Sequence, residues 1–342
     1  MRDGRVCLGY EISRAELKNQ AIMKSSFLAF LSILLASANA FSTPAAILSK
    51  PPLRPAPGTT VAHLRGGNAQ ASLASVLAGT MALPATAAIS AVAGSLAYIH
   101  QAYIFSLSYG LSMLGIGGAV LLTAPASRLL VVHAGLVAAY GLRLFAFLFW
   151  RQKLQPGYDG TERLKALDKT PPLKRTPIIL STAIFYSLMS SPIVFHAQAA
   201  PLVGAAASVS AVGSALAAVG LLVEAVADQQ KSLFKMKLRA DGKDDELYMG
   251  GVYAKSRHAN YAGEVLFWMG SFVAGLPAIS VPGVTLLTRA ARFVASGLGL
   301  AGIVFIMLSA TKRLEGKQAE KYGSSAWYTQ YVGSSGSLVP KL

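Results

Sequence analysis

Acidic residues are scarce in this chain of 342. It has 15 Asp and Glu against 31 Lys and Arg, a net charge of +16, and charged residues of both signs make up only 13%. That is about half the charged share of an ordinary soluble domain, while 53% of the residues are hydrophobic. Too few polar side chains remain to cover a globular surface, which excludes water as the surrounding solvent. Cysteine is nearly absent as well: Cys7 alone makes no internal disulfide, and no Cys/His grouping has the spacing of a structural zinc site. No Asp or Glu occurs between Glu16 and Asp159, or between Glu264 and Glu315. The basic residues flank apolar runs and form no stripe with interleaved aromatics, the pattern of a membrane protein and not of a nucleic-acid binder.

The first seventy residues read as leader sequence. Met23-Lys24 opens an apolar run, Ser25 to Ala38, closed by the small-x-small spacing of Ala38-Asn39-Ala40. Residues 23–40 are therefore expected to be a cleaved signal peptide, and 1–22 an upstream extension if Met23 is the true start. The run is shorter than the roughly 20 residues of a span. Residues 41–70 then carry Lys50, Arg54 and Arg65 with Ser, Thr, Pro and Ala and no acid, the composition of a transit peptide. A signal followed directly by Phe41 resembles the bipartite leaders of algae with complex plastids, which implies a plastid membrane. The endoplasmic reticulum is the alternative, because a flexible extracytoplasmic tail explains the Pro-rich stretch equally well.

Beyond residue 70, apolar segments at about 72–98, 102–124, 129–150, 177–199, 202–227, 262–280 and 291–310 predict an all-α, polytopic helical membrane domain of about seven spans over 71–342. The first is the weakest, since Pro84 falls within it and Ala, Ser and Gly lower its hydrophobicity. Lysines and arginines crowd into 151–175, 231–257 and 312–321. These stretches fall on one face of the membrane if two spans separate each from the next, so charge asymmetry agrees with the count.

Polar chemistry enters the membrane at two places. Glu224 and Asp228, four residues apart at the end of the fifth span, face one way on a helix. Arg257-His258-Ala259-Asn260-Tyr261-Ala262-Gly263-Glu264 leads into the sixth span, and its spacing places Arg257, Tyr261 and Glu264 on one helical face. The two clusters flank one basic loop and suit a large, polar, anionic cofactor. Arg257 and His258 can engage phosphates, Asn260 and Tyr261 can hydrogen-bond ribose or amide groups, and the carboxylates can accept from ribose hydroxyls. Spacing alone leaves open that Arg257 and His258 are interface anchors and that Glu264 is merely paired for insertion.

Glu224-Ala225-Val226-Ala227-Asp228-Gln229-Gln230 and the Ser256-Arg257-His258-Ala259-Asn260-Tyr261-Ala262-Gly263-Glu264 run resemble the C-terminal domain of the steroid 5α-reductase family, specifically its branch of uncharacterised multi-span proteins. Gly141-Leu142-Arg143-Leu144 and the tail Tyr328 to Pro340 look like the same branch, so the resemblance runs from about residue 100 to the end. It implies an NADPH-dependent reductase of a carbon-carbon double bond in a lipophilic substrate of steroid, isoprenoid or fatty-acyl type. Asp228, Arg257, His258, Asn260, Tyr261 and Glu264 would then contact the cofactor, with Glu224 and Gln230 as secondary candidates and no metal. The proton donor would come from the early spans, where Tyr103, Tyr109 and Tyr140 stand. Two positions depart from the pattern: Ala259 replaces a usual proline and Tyr253 a usual tryptophan. Lipid and prenyl methyltransferases that use S-adenosylmethionine share a related Arg-His-Pro-x-Tyr motif and remain the alternative enzyme. A non-catalytic scaffold or sterol-binding protein of the same fold is the alternative outside enzymes.

Among other polar residues in spans, Arg143 is expected to pair with an acid or with backbone carbonyls, and a substrate carboxylate is the sharper option. His133 and His196 look isolated in apolar surroundings and read as structural. Gly115-x-Gly117-Gly118 has no strand before it and reads as close helix packing.

Overall fold

The computed structural model describes residues 83–341 except 125–126, 156–159, 200, 244–245 and 280–284. The expected upstream extension, signal peptide and transit-like leader lie outside the described residues. Helices run α1 (Leu83–Gly94), α2 (Leu107–Thr123), α3 (Arg128–Lys153), α4 (Gly160–Leu167), α5 (Thr176–Ala197), α6 (Gly204–Ala240), α7 (Ala259–Ile279), α8 (Leu286–Tyr322) and α9 (Ala326–Ser334). No strand occurs among the described residues; an isolated parallel bridge joins Ser256 to Gly336.

Among the described residues, five helices are long and apolar enough to cross a membrane: α3, α5 with the turn from Pro172, α6, α7 and α8. Leu83–Tyr98 and α2 are apolar but shorter. The 17 residues of α2 span about 25 Å, against about 30 Å of hydrocarbon. The all-helical, polytopic architecture expected from the sequence is present, with five full-length spans and two short apolar helices where seven were expected.

α6 and α8 have 37 residues each, about 55 Å and nearly twice the hydrocarbon thickness. The sequence read as spans covers only their apolar halves. Past residue 227, α6 continues through Gln, Lys, Leu and Met, good helix formers, and meets no glycine until Gly242, which adopts φ +65° just after the helix ends. At the other face, Ser127 and Thr285 cap α3 and α8 by accepting from the amides of Leu130 (3.3 Å) and Thr288 (3.2 Å).

Glycines set the closest helix pairs. A Cβ on Gly117 of α2 would meet Ala138 N of α3 at 2.6 Å, so the Gly115-x-Gly117-Gly118 run includes a packing contact as read. In the antiparallel α6–α7 pair, Gly213, Gly220, Gly263 and Gly270 all face backbone of the other helix. A Cβ on Gly263 would meet Glu224 N at 2.5 Å, so this glycine lets the backbone carrying Glu224 lie against α7.

The basic segments share one end of the bundle. Asp168, after α4, accepts from His100 Nδ1 (2.7 Å) and Gln101 N (2.6 Å) and pairs with Arg175 (3.3 Å), which also donates to Ala97 O (2.7 Å). Burial would raise the Asp168 carboxyl, but the Gln101 amide, His100 and Arg175 together hold it below its usual value. The tail is laced to the loop before α7: Arg257 N donates to Gly336 O (2.9 Å) and His258 N to Ser337 O (3.0 Å).

Candidate functional site

Three polar clusters lie toward the basic end. The first is centred on Arg143 of α3, whose Nη1 donates to Glu224 Oε1 (2.7 Å) and whose Nη2 donates to Asp228 Oδ2 (2.5 Å) and to Glu224 O (3.0 Å). The i, i+4 spacing on α6 brings both carboxylates to one guanidinium. Asn260, at the start of α7, donates to Asp228 Oδ1 over 3.4 Å. Glu224 is buried and its Oε2 has no hydrogen-bond partner.

The second cluster lies one turn further along α7. Tyr109 donates its hydroxyl proton to Glu264 Oε1 (3.0 Å), while its oxygen accepts from Trp268 Nε1 (2.7 Å) and Tyr140 Oη (3.2 Å). Tyr109 stacks on Tyr186 with centroids 5.0 Å apart, and Tyr140 on Phe267 at 4.2 Å. All of these side chains are buried. Tyr103 is outside this set and packs edge-on against His100.

The third cluster holds Arg257, which precedes α7 and therefore does not continue the helical face of Tyr261 and Glu264 that spacing suggested. Its Nε and Nη2 donate to Glu315 Oε1 of α8 (3.0 and 2.8 Å), and its Nη1 donates to Ser335 O (2.6 Å) and Val332 O (3.2 Å) of the tail. Glu315 Oε1 also accepts from Ser337 Oγ at 2.8 Å. His258 stacks on Tyr261 with centroids 5.8 Å apart, and its Nε2 lies 3.7 Å from Glu315. Burial pushes the His258 imidazole down to about 4, outweighing the upward pull of Glu315. Gln230 accepts from Val252 N (3.0 Å), beside Gly251 at φ +56°. Tyr253 is buried with its hydroxyl unpartnered and Lys231 5.6 Å above its ring, and burial raises that hydroxyl.

Of the residues singled out in the sequence, Glu224, Asp228 and Asn260 meet directly. Glu264 lies within electrostatic reach of Glu224, His258 and Tyr261 stack, and Arg257 turns to the tail. Arg143 makes the acid and carbonyl contacts expected of it. Missed altogether were Glu315 and Trp268, whose partners lie 58 and 159 residues away and leave no local pattern. The reading of His133 and His196 as isolated is corrected: their Nδ1 atoms are 3.2 Å apart, so each is the other's partner.

No curated protein and no solved structure matches the chain. Residues 100–335, which hold all three clusters except the tail's last contacts, match the family described as protein of unknown function (DUF1295), and the chain belongs to that family.

Proposed function

We propose that the chain is an integral-membrane reductase that takes NADPH at its basic end and reduces a carbon-carbon double bond of a lipophilic substrate held between helices. The reading rests on the steroid 5α-reductase resemblance, and one observation carries it: two hydrogen-bonded polar clusters follow one another inward from the basic end, Asn260, Asp228, Arg143 and Glu224 and then, one turn further along α7, Glu264, Tyr109 and Tyr140. A row of buried ionisable groups inside apolar helices is expensive to keep, which favours a functional role.

The residues present fit the cofactor. Glu224 Oε2, Tyr253 Oη and His258 Nε2 are buried polar atoms with no hydrogen-bond partner, and such atoms carry an energetic cost until a ligand or water meets them. Arg151 and Arg313 both lie near enough to Tyr261 to act on it electrostatically and supply positive charge at the basic end. Asp228 and Asn260 would hold ribose hydroxyls or the carboxamide, since their 3.4 Å contact is long enough to be exchanged for a ligand. Arg257, anchored by Glu315 and the tail, would position the loop that carries His258 and not touch phosphate itself.

NADPH, when bound, supplies a hydride to one carbon of the double bond. The other carbon needs a proton, and Tyr109 is suited to give it. Trp268 and Tyr140 already donate to its oxygen, so both would stabilise the negative charge left there. That O–H is directed at Glu264, so donation requires the hydroxyl to turn toward the substrate. Glu264 can restore the proton only after its own carboxylate has taken one up from water at the basic end.

Titrating purified protein in detergent with NADPH and, separately, with S-adenosylmethionine tests the reading. Saturable NADPH binding is expected; binding of S-adenosylmethionine alone would favour the methyltransferase, and binding of neither a scaffold.

A further inference from the structure

The opposite end of the bundle contains polar groups that the proposed reductase site does not use. His133 of α3, His196 of α5 and Ser271 of α7 form a buried row, with His133 Nδ1 3.2 Å from His196 Nδ1 and His133 Nε2 2.9 Å from Ser271 Oγ. His196 Nε2, at the end of the row, is buried and has no partner. Arg292 of α8 packs over Phe195 at 5.1 Å and donates from Nη2 to Gln198 Oε1 (2.9 Å), while its Nη1 is buried without a partner. Two unmatched polar atoms therefore belong to side chains gathered around the last turn of α5.

Their depth is similar. His133 is 5 residues into α3, Arg292 is 6 into α8, Ser271 is 8 from the end of α7 and His196 is 1 from the end of α5. At about 1.5 Å per residue, all lie within about 12 Å of that end. Among the described residues no acid lies at this end: the sequence has none between residue 83 and Asp159, Asp168 and Glu224, or Glu264 and Glu315, and every described helix terminus at this end falls in one of those intervals.

We propose that this end holds a second ligand site, for the oxyanion headgroup of a membrane amphiphile, with His196 Nε2–H and Arg292 Nη1–H as its donors. Arginine has donors only, so whatever meets Nη1 must accept. The histidine row can supply the matching tautomer: Ser271 donates to His133 Nε2, His133 Nδ1–H donates to His196 Nδ1, and the proton of His196 is left on Nε2. The ligand is an amphiphile because large apolar side chains at the same end, Leu286, Leu287 and Phe293, are exposed where acyl chains would lie. The site is independent of the reductase reading.

The test uses the full chain purified in detergent and the fluorescent fatty acid cis-parinaric acid. Saturable binding is expected, with its methyl ester weaker by about tenfold or more, the loss of one charge-assisted hydrogen bond. Arg292→Gln and His196→Leu should each weaken parinarate by a similar factor, and Lys243→Gln, exposed at the opposite, basic end, should not. If His196→Leu does not fold, Ser271→Ala removes the donor that sets the tautomer and should also weaken binding. Competition by oleate but not by dioleoylphosphatidylglycerol identifies a carboxylate; competition by phosphatidylglycerol, with its retention over phosphatidylcholine in native mass spectra, identifies a lipid phosphate. Parinarate binding indifferent to Arg292→Gln and to esterification overturns the proposal. So does a lack of parinarate binding together with no preference for phosphatidylglycerol.

Discussion

Arg143 is the residue on which the buried acids depend. Its guanidinium neutralises Glu224 and Asp228 together, with side-chain exposures of 19%, 5% and 14%. Arg143→Gln should leave two carboxylates uncompensated and lower unfolding free energy by about 3–5 kcal/mol, measured by denaturant titration in detergent. Glu224→Gln, which removes a charge and keeps an acceptor, should cost much less. The two acids were legible from their four-residue spacing, but the arginine that closes the clamp is 81 residues from Glu224, and no periodicity connects them. His258 makes a pH prediction. Its folded value, pushed down to about 4 by burial, lies below the unfolded value of about 6.5, so the unfolded chain binds the extra proton between the two. Stability should therefore be full above about pH 6.5 and fall as pH drops toward 4, by about 2–3 kcal/mol. His258→Gln should flatten that limb in melts taken across the range.

At the scale of elements, the α6–α7 pair sets the geometry of the clamp. Gly263→Ala would drive a methyl against the Glu224 backbone at 2.5 Å, whereas a Cβ on Gly118 meets nothing within 4 Å. The first should destabilise by about 1–3 kcal/mol and the second should be nearly neutral, read from paired unfolding curves. Apolar runs showed where the helices are, but they understated α6 and α8, because the basic halves of both remain helical outside the hydrocarbon. The tail's lacing to residues 255–258 was invisible, since main-chain hydrogen bonds between Lys255, Arg257, His258 and the Gly336–Lys341 segment need no particular side chains. The pairing of Arg257 with Glu315 was invisible too, because this acceptor is on another helix and leaves no local pattern. Glu315→Gln should speed amide exchange at Arg257, His258 and Gly336 without altering exchange within α3.

For the whole molecule, charge asymmetry and the shared end of the basic loops make one topological claim. With Cys7 replaced by Ser, single cysteines at Lys165 and Lys243, both exposed, should react with a membrane-impermeant maleimide from the same side, and one at Leu286 from the other. Labelling of 165 and 243 from opposite sides would require a different number of spans between them. The central claim, that the basic end is a dinucleotide site, is tested most directly by NADPH dissociation constants for the parent protein, Asp228→Asn, Asn260→Ala and Arg257→Lys. The account predicts saturable binding by the parent and a loss of about tenfold or more, one to two lost hydrogen bonds, for the first two variants. Arg257→Lys should weaken binding less, because its side chain is held by Glu315 and the tail. No NADPH binding by the folded parent, or affinities unchanged in Asp228→Asn and Asn260→Ala, would contradict it.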